Sequence, residues 1–449
     1  MSEQLLARRF AEWGMGLRLD EVPTQVQEEA HRAIVDTIGV IAAGMQHPKV
    51  VALAEHLSNE PGSSMLIGCP GVTSAPVAAL VNGMAAHVWD FDDTSYTGIM
   101  HGSAVVLPAV LAIAQDISAS SEDLLAALIV GSEITYTLAD ICTHRHYFSG
   151  WWSTATFSSI GATVGICRLM GLNIEQTVSA IGMTAAAAGV NKTILGTDAK
   201  PFMVGEAAQR SITFAKAAAA GLIGPEAAFE HKGGYMHMLN SDVSVMLEAN
   251  TLGQRWRLRD PGLLFKLNPV CSAAHAAIEL MRELLSDAGA TAEDIDAIHA
   301  EVPELVYISL VFPEPKTPQE AQFSLPYSLA CAALHGEVRL EDLAPAAISS
   351  SDKLAVMAKV SVSVSEDLST DEMRAAAPES ARLRITLKNG KVLNGFCAEA
   401  YGMPGRPLSN EHLFAKFKRC LNFANISCHQ YRFETTDYLH LIRELSKKG

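Results

Sequence analysis

The chain has 449 residues, of which 49% are apolar and 18% charged, with a formal net charge of −15. That length exceeds what one hydrophobic core usually organises and that composition excludes disorder, so two domains are expected. The acidic balance, with no basic run or aromatic-interleaved basic stripe to offset it, argues against nucleic acid or an anionic membrane as partner.

The opening stretch MSEQLLARRFAEWGMGL has neither the apolar centre nor the small-residue cleavage pattern of a signal peptide, and no uncharged apolar run reaches the ~18 residues of a spanning helix. Eight cysteines lie at 69, 142, 167, 271, 331, 397, 420 and 428 without CxxC pairing, as expected of reduced, buried thiols in a cytoplasmic protein.

From about residue 4 to about residue 220 the apolar spacing is helical, as in TQVQEEAHRAIVDTIGVIAAGM, SEDLLAALIVGSEITYTLADI and IEQTVSAIGMTAAAAGV. Ser120 through Asp123 and Asn173 read as helix starts, and Gly171 as a helix stop. Past residue 263 the pattern changes. A helix from Ser272 to about Leu285 leads into DIDAIHAEVPELVYISL, which alternates enough to be a strand. VSVSVSE and ARLRITLKNGKVLNGF follow, and Asn389-Gly390 between alternating runs predicts a hairpin. The tail is helical again. The fold class expected is therefore α+β, mostly α: a large all-helical domain from residues 1–262 and 401–449, and a smaller α+β lid over 263–400.

Four stretches hold the candidate chemistry. In AAHVWDFDDTSYTGIMHGSA, Asp90 precedes Thr94 by one helical turn and His101 follows closely, so carboxylate, hydroxyl and imidazole are expected to converge beside apolar walls. Asp92 and Asp93 alone are as readily turn or cap residues. THRHYFSGWW offers Arg145 and Tyr147; its His144-x-His146 pair lacks a third ligand, so a metal reading is weak and no metal is expected. GTDAKPFMVGEAA and LLFKLNPVCSAAH place Lys200, Lys266 and Cys271 among apolar neighbours, where a lysine serves as a carboxylate anchor or a tuned base rather than a solvated surface charge. No nucleotide-binding glycine motif, GxSxG or HExxH occurs.

VNGMAAHVWDFDDT, HGSAVVLPAVLA, GTDAKPFMVGEAA, FKLNPVCSAAHAAIE, AQFSLPYSLACAAL and GMPGRPLSNEHLFAKF together resemble the MmgE/PrpD family, from near the N-terminus to about Arg419. The resemblance implies the two-domain division above, a homodimer, and catalysis without metal or organic cofactor on a small anionic di- or tricarboxylate. It maps active-site roles onto Asp90, Thr94, His101, Lys200, Lys266 and Tyr327. Family dehydratases and decarboxylases commonly carry histidines where this chain has Trp152, Met203 and Cys271. The expected activity is therefore proton abstraction and return next to a carboxylate, most like the family's iminodisuccinate epimerase. Lys200 and His101 are then the acid–base pair, Asp90 the orienting group, Tyr147 a reserve acid, and Thr94, Arg145, Lys266, Tyr327 and Cys271 the substrate contacts. A hydro-lyase or decarboxylase is the alternative, and a ligand-binding protein without catalysis the third reading.

Overall fold

Small residues at the crossing points let the N-terminal helices approach backbone to backbone. The computed structural model describes residues 5–57, 59–142, 145–239, 249–427 and 431–446. Its long N-terminal helices are Leu6–Gly16, Thr24–Gly44, Ala75–His87, Gly102–Asp116, Ser121–Cys142, Ser153–Leu169, Ile174–Ala187 and Ala199–Ala219. Their ends follow local chemistry. Ser120 Oγ accepts the Asp123 amide at 3.0 Å, Asn173 and Gln176 form a reciprocal capping box, and Gly171 takes the left-handed conformation (φ +65°). The Ser121–Cys142 helix is long and apolar enough to cross a membrane, yet it lies almost wholly inside the protein, as a helix apolar on all sides does in a large core. One feature departs from the all-helical expectation: β1 (Ser64–Met65) and β2 (Val72–Thr73) form a small antiparallel ladder, too short to register as alternation.

The crossing that positions the site joins Ala75–His87 to Ala199–Ala219. A Cβ on Gly83 would stand 2.7 Å from Gly205 Cα, and one on Gly205 would collide with the Leu80 carbonyl oxygen. Only glycines allow this approach, and it brings His87, one turn past Gly83, beside Lys200 in the first turn of the second helix.

The later part of the chain contributes a four-stranded sheet: β3 (Ile295–Val302), β4 (Val360–Val364), β5 (Ala381–Leu387) and β6 (Val392–Cys397), in the order β4-β3-β5-β6. β3 and β4 are parallel; the other pairs are antiparallel. β3 stops at Val302, short of the expected strand, because Pro303 cannot extend the ladder and instead leads into the short helix Glu304–Ser309. The Asn389-Gly390 turn joins β5 to β6, with Gly390 at φ +84°. The helices His275–Ala288 and Leu325–His335 pack against each other and against this sheet. The helix Asn410–Phe423 returns to the N-terminal helices and packs on Thr24–Gly44, where Gly39 meets the Phe417 ring. Behind that contact Lys416 pairs with buried Asp36 at 2.7 Å and donates to the Phe91 carbonyl at 2.7 Å. The fold is thus mostly helical α+β. No disulfide joins the seven described cysteines; Cys428 lies outside the described residues.

Gly205→Ala tests the crossing. Its methyl group forces the two helices apart at a cost of about 1–3 kcal/mol, so thermal unfolding is expected several degrees below wild type, with activity lost in proportion to the Lys200 displacement. An unchanged melting temperature would show that the crossing tolerates a side chain.

Candidate active site

The chain between His87 and Gly102 is a loop, which corrects the expectation that Asp90 and Thr94 share a helical turn. Asp90 adopts a left-handed backbone (φ +48°) that ends the helix, a conformation Asp tolerates better than most side chains. Thr94 pairs through both backbone groups with Leu264, at 2.9 and 2.8 Å. The two bonds stitch the aspartate loop to the segment bearing Lys266. The same residues therefore converge as expected, by a different route.

Asp90 is the centre. Its Oδ1 accepts Lys200 Nζ at 2.5 Å; its Oδ2 and its own carbonyl accept Lys266 Nζ at 2.9 and 2.8 Å. All three side chains are buried. Burial alone would raise the Asp90 pKa, but the Lys200 and Lys266 charges outweigh it and hold the carboxyl well below the usual range. Burial likewise works against the Lys266 ammonium, yet Asp90 and Asp92 raise its pKa overall, so Lys266 stays charged. Lys200 sits in a helix first turn, where the dipole disfavours a cation, and Asp90 supplies the compensating charge.

Two histidines flank this centre. His87 Nδ1 donates to Asp92 Oδ2 at 2.8 Å, and its Nε2 stands 2.5 Å from Lys200 Nζ, which donates to it. A relay of Asp92, His87, Lys200 and Asp90 results. Burial is the largest influence on Asp92 and raises its pKa, but its neighbours, the hydrogen bond from His87 and the Lys266 charge among them, hold it well below the usual carboxylate range. His101 Nδ1 lies 2.9 Å from the Asp93 carbonyl, an obligate acceptor, so the ring hydrogen sits on Nδ1 and the Nε2 lone pair is left for a ligand. Thr94 Oγ1 is 3.3 Å from the same Nδ1, so its contact is with His101. The rings of His87 and His101 are 4.6 Å apart, and Trp152 covers His87 at 5.7 Å and Lys200 at 5.6 Å.

Tyr147 is buried on a short helix, Arg145–Phe148, with its phenol pushed up by burial; Ser309 bonds it, and Cys271 and Asp90 lie within electrostatic reach. Cys271 joins the site too, its thiol pushed up to about 12 by burial and by Asp90, so it is protonated at neutral pH. Arg145 is exposed at the head of its helix, outside the buried centre. Tyr327 is the clear departure: its hydroxyl donates to the Asp342 carbonyl at 2.5 Å and receives a bond from Lys353 Nζ at 3.2 Å, both partners lying near it in sequence. That hydroxyl is spent on local packing.

His87 was not anticipated, because a histidine on an apolar helix ordinarily reads as core; its spacing three residues before Asp90 was the available signal. Glu379 was also missed. It is buried, accepts Tyr96 Oη at 3.0 Å and Ser272 Oγ at 2.7 Å, and has its pKa raised by burial. His87, Asp92 and His101 bring three potential metal-ligand atoms within 4.8 Å of one another. His87 and Asp92 are already bonded to each other, and two ammonium groups stand beside them, so the donor set suits proton handling better than a cation. In the other histidine pair, His144 lies outside the described residues, and His146 Nε2 bonds Ser153 Oγ at 2.7 Å.

Burial holds His101 down to about 3, outweighing the raising effect of Asp92. An unfolded histidine titrates near ~6.5, so below that pH the unfolded chain takes up a proton that folded His101 does not, and stability falls with pH at about 1.4 kcal/mol per unit down to the folded pKa. Asp93, pushed up to about 8 by burial, acts with the opposite sign, so the test is a difference. The destabilisation by His101→Gln, measured by urea unfolding, should shrink by roughly 2 kcal/mol between pH 7 and pH 5. A pH-independent cost would refute the neutral imidazole.

Sequence models of the MmgE/PrpD N-terminal and C-terminal domains match residues 8–247 and 269–435. Human cis-aconitate decarboxylase is 25% identical over 427 residues, covering 92% of this chain and 87% of that one; the mouse protein of the same name is 25% identical, covering 91% and 85%. A cis-aconitate decarboxylase-like protein of Aspergillus oryzae is 25% identical over 75% of each chain. These relatives support an enzyme of a lyase-type family and do not single out an isomerase. Two consecutive domain matches spanning most of the chain, over a site centred on the DFDDT loop, establish that it belongs to the MmgE/PrpD family.

Proposed function

We propose that this protein is a cofactor-independent epimerase or racemase that removes a proton from the carbon beside a carboxylate of a small di- or tricarboxylate and returns one to the opposite face. The reading rests on Trp152, which packs over His87 and Lys200 at the place where the family's dehydratases and decarboxylases commonly present a histidine. An indole cannot protonate a leaving hydroxyl or a carbanion. What remains is a pair of proton carriers, Lys200 and His101. His101 Nε2, which carries a lone pair, takes the proton from one face and the Lys200 ammonium delivers one to the other, leaving a protonated His101 and a neutral Lys200 set for the reverse direction; His87, bonded to Asp92, accepts a hydrogen bond from Lys200 and holds it in place. Hydroxyls of Thr94 and Tyr147 are the candidates to receive the enolate-like charge.

A second reading, a decarboxylase-like lyase, is favoured by the names of the relatives. In that case the proton comes from the Cys271 thiol or the Tyr147 phenol, both kept protonated by burial.

Proton NMR in heavy water with iminodisuccinate and a panel of di- and tricarboxylates separates the two. Loss of the α-proton signal without a vinyl resonance is the expected result; a new vinyl resonance assigns the lyase. Lys200→Met and His101→Gln should each slow exchange by about 10²–10⁴-fold, the usual contribution of a positioned acid or base. Full turnover in either variant would sink the two-base assignment.

A further inference from the structure

The buried centre is electrically spent. Asp90 and Asp92 are ionised, Lys200 and Lys266 offset them, and His87 and His101 are neutral. A substrate with two carboxylates brings charge that this cluster does not balance, so a further cation is required at its edge.

Lys192 meets that requirement. Its ammonium lies 3.0 Å from the centre of the Tyr147 ring, half buried, and among the described residues no carboxylate is within ion-pair distance. Burial without a partner pushes its pKa down to about 8. The surrounding backbone fixes it there. The Lys192 amide donates to the Gly150 carbonyl at 2.9 Å, Trp151 bridges to Asn191, and the Trp152 amide donates to Val190 at 2.6 Å. The loop thus belongs to the wall that holds Tyr147 and Trp152. Its other side faces the lid: Gly196 abuts the Phe312 ring, and Gln319 Nε2 donates to Asp198 Oδ1 at 2.8 Å. Lys200 follows directly. A cation on an aromatic face keeps part of its desolvation cost unrecovered, and a carboxylate recovers more of it than a ring does.

We propose that Lys192 is a specificity residue that binds the substrate carboxylate remote from the reacting carbon, leaving the Tyr147 ring to do so and selecting dicarboxylates over their monocarboxylate analogues. The assignment rests on the site reading above but concerns binding, so it is testable without turnover. Binding of succinate and of its half-amide, succinamate, is to be measured by NMR titration on wild type, Lys192→Met and Lys192→Arg, with circular dichroism to verify folding. The expected result is a loss of about tenfold or more in succinate affinity for Lys192→Met, under twofold change for succinamate, and recovery in Lys192→Arg. Equal losses for both ligands, no loss for either, or failure of wild type to prefer succinate would each overturn the proposal. If succinate discrimination depends on Lys192 while heavy-water exchange is absent from every substrate, the carboxylate subsite stands and the epimerase reading falls.

Discussion

A carboxylate buried between two ammonium groups is the constraint on which the rest of this structure turns. Asp90 alone in this interior would cost several kcal/mol, and either lysine alone would cost as much. Together they are tolerable only if three distant stretches of chain meet within a few tenths of an ångström: the loop after Ala75–His87, the first turn of Ala199–Ala219, and the segment entering the lid. The glycine crossing at Gly83 and Gly205 and the backbone pairing of Thr94 with Leu264 satisfy that demand. Packing and electrostatics are therefore not separable here. The close helix approach has its reason in the ion pairs, and the ion pairs hold because the approach is rigid.

Protonation states follow from the same arrangement. With Asp90 and Asp92 ionised, His87 has a fixed tautomer, donating to Asp92 and accepting from Lys200. His101 is fixed in turn by the Asp93 carbonyl. Asp93 itself is pushed up to about 8 by burial, with Asp36 and Asp92 adding to the rise, which makes it a neutral acid at physiological pH. Three aspartates within four positions thus hold different charge states because their neighbours differ.

Polar contacts tie the C-terminal part of the chain to this centre. Glu379 bonds Tyr96 from the aspartate loop, Gln322 donates to the Val88 carbonyl at 2.9 Å, and Ser309 reaches Tyr147. On the far side Lys416 of the Asn410–Phe423 helix holds the Phe91 carbonyl and Asp36. The loop bearing Asp90 is thereby gripped from both sides, which suits side chains that must keep a proton relay aligned.

Local chemistry determined a good deal on its own. Helical periodicity, the Asn173 cap, the Asn389-Gly390 turn and the alternation in β3 and β5 depend on neighbours in sequence, and these elements were legible for that reason. So was the identity of Asp90, His101, Lys200 and Lys266 as a group, through the resemblance their motifs carry. Only the tertiary structure decided which of them touch. It turned the Asp90–Thr94 stretch into a loop with Asp90 in the left-handed region, bonded the Tyr327 hydroxyl to Asp342 and Lys353, and left Arg145 at the surface. It also brought His87 beside Lys200. The physical reason is that the buried pairings of Asp90 with Lys200 and Lys266, and of His87 with Lys200, join residues more than a hundred positions apart, and no short window of sequence contains both partners.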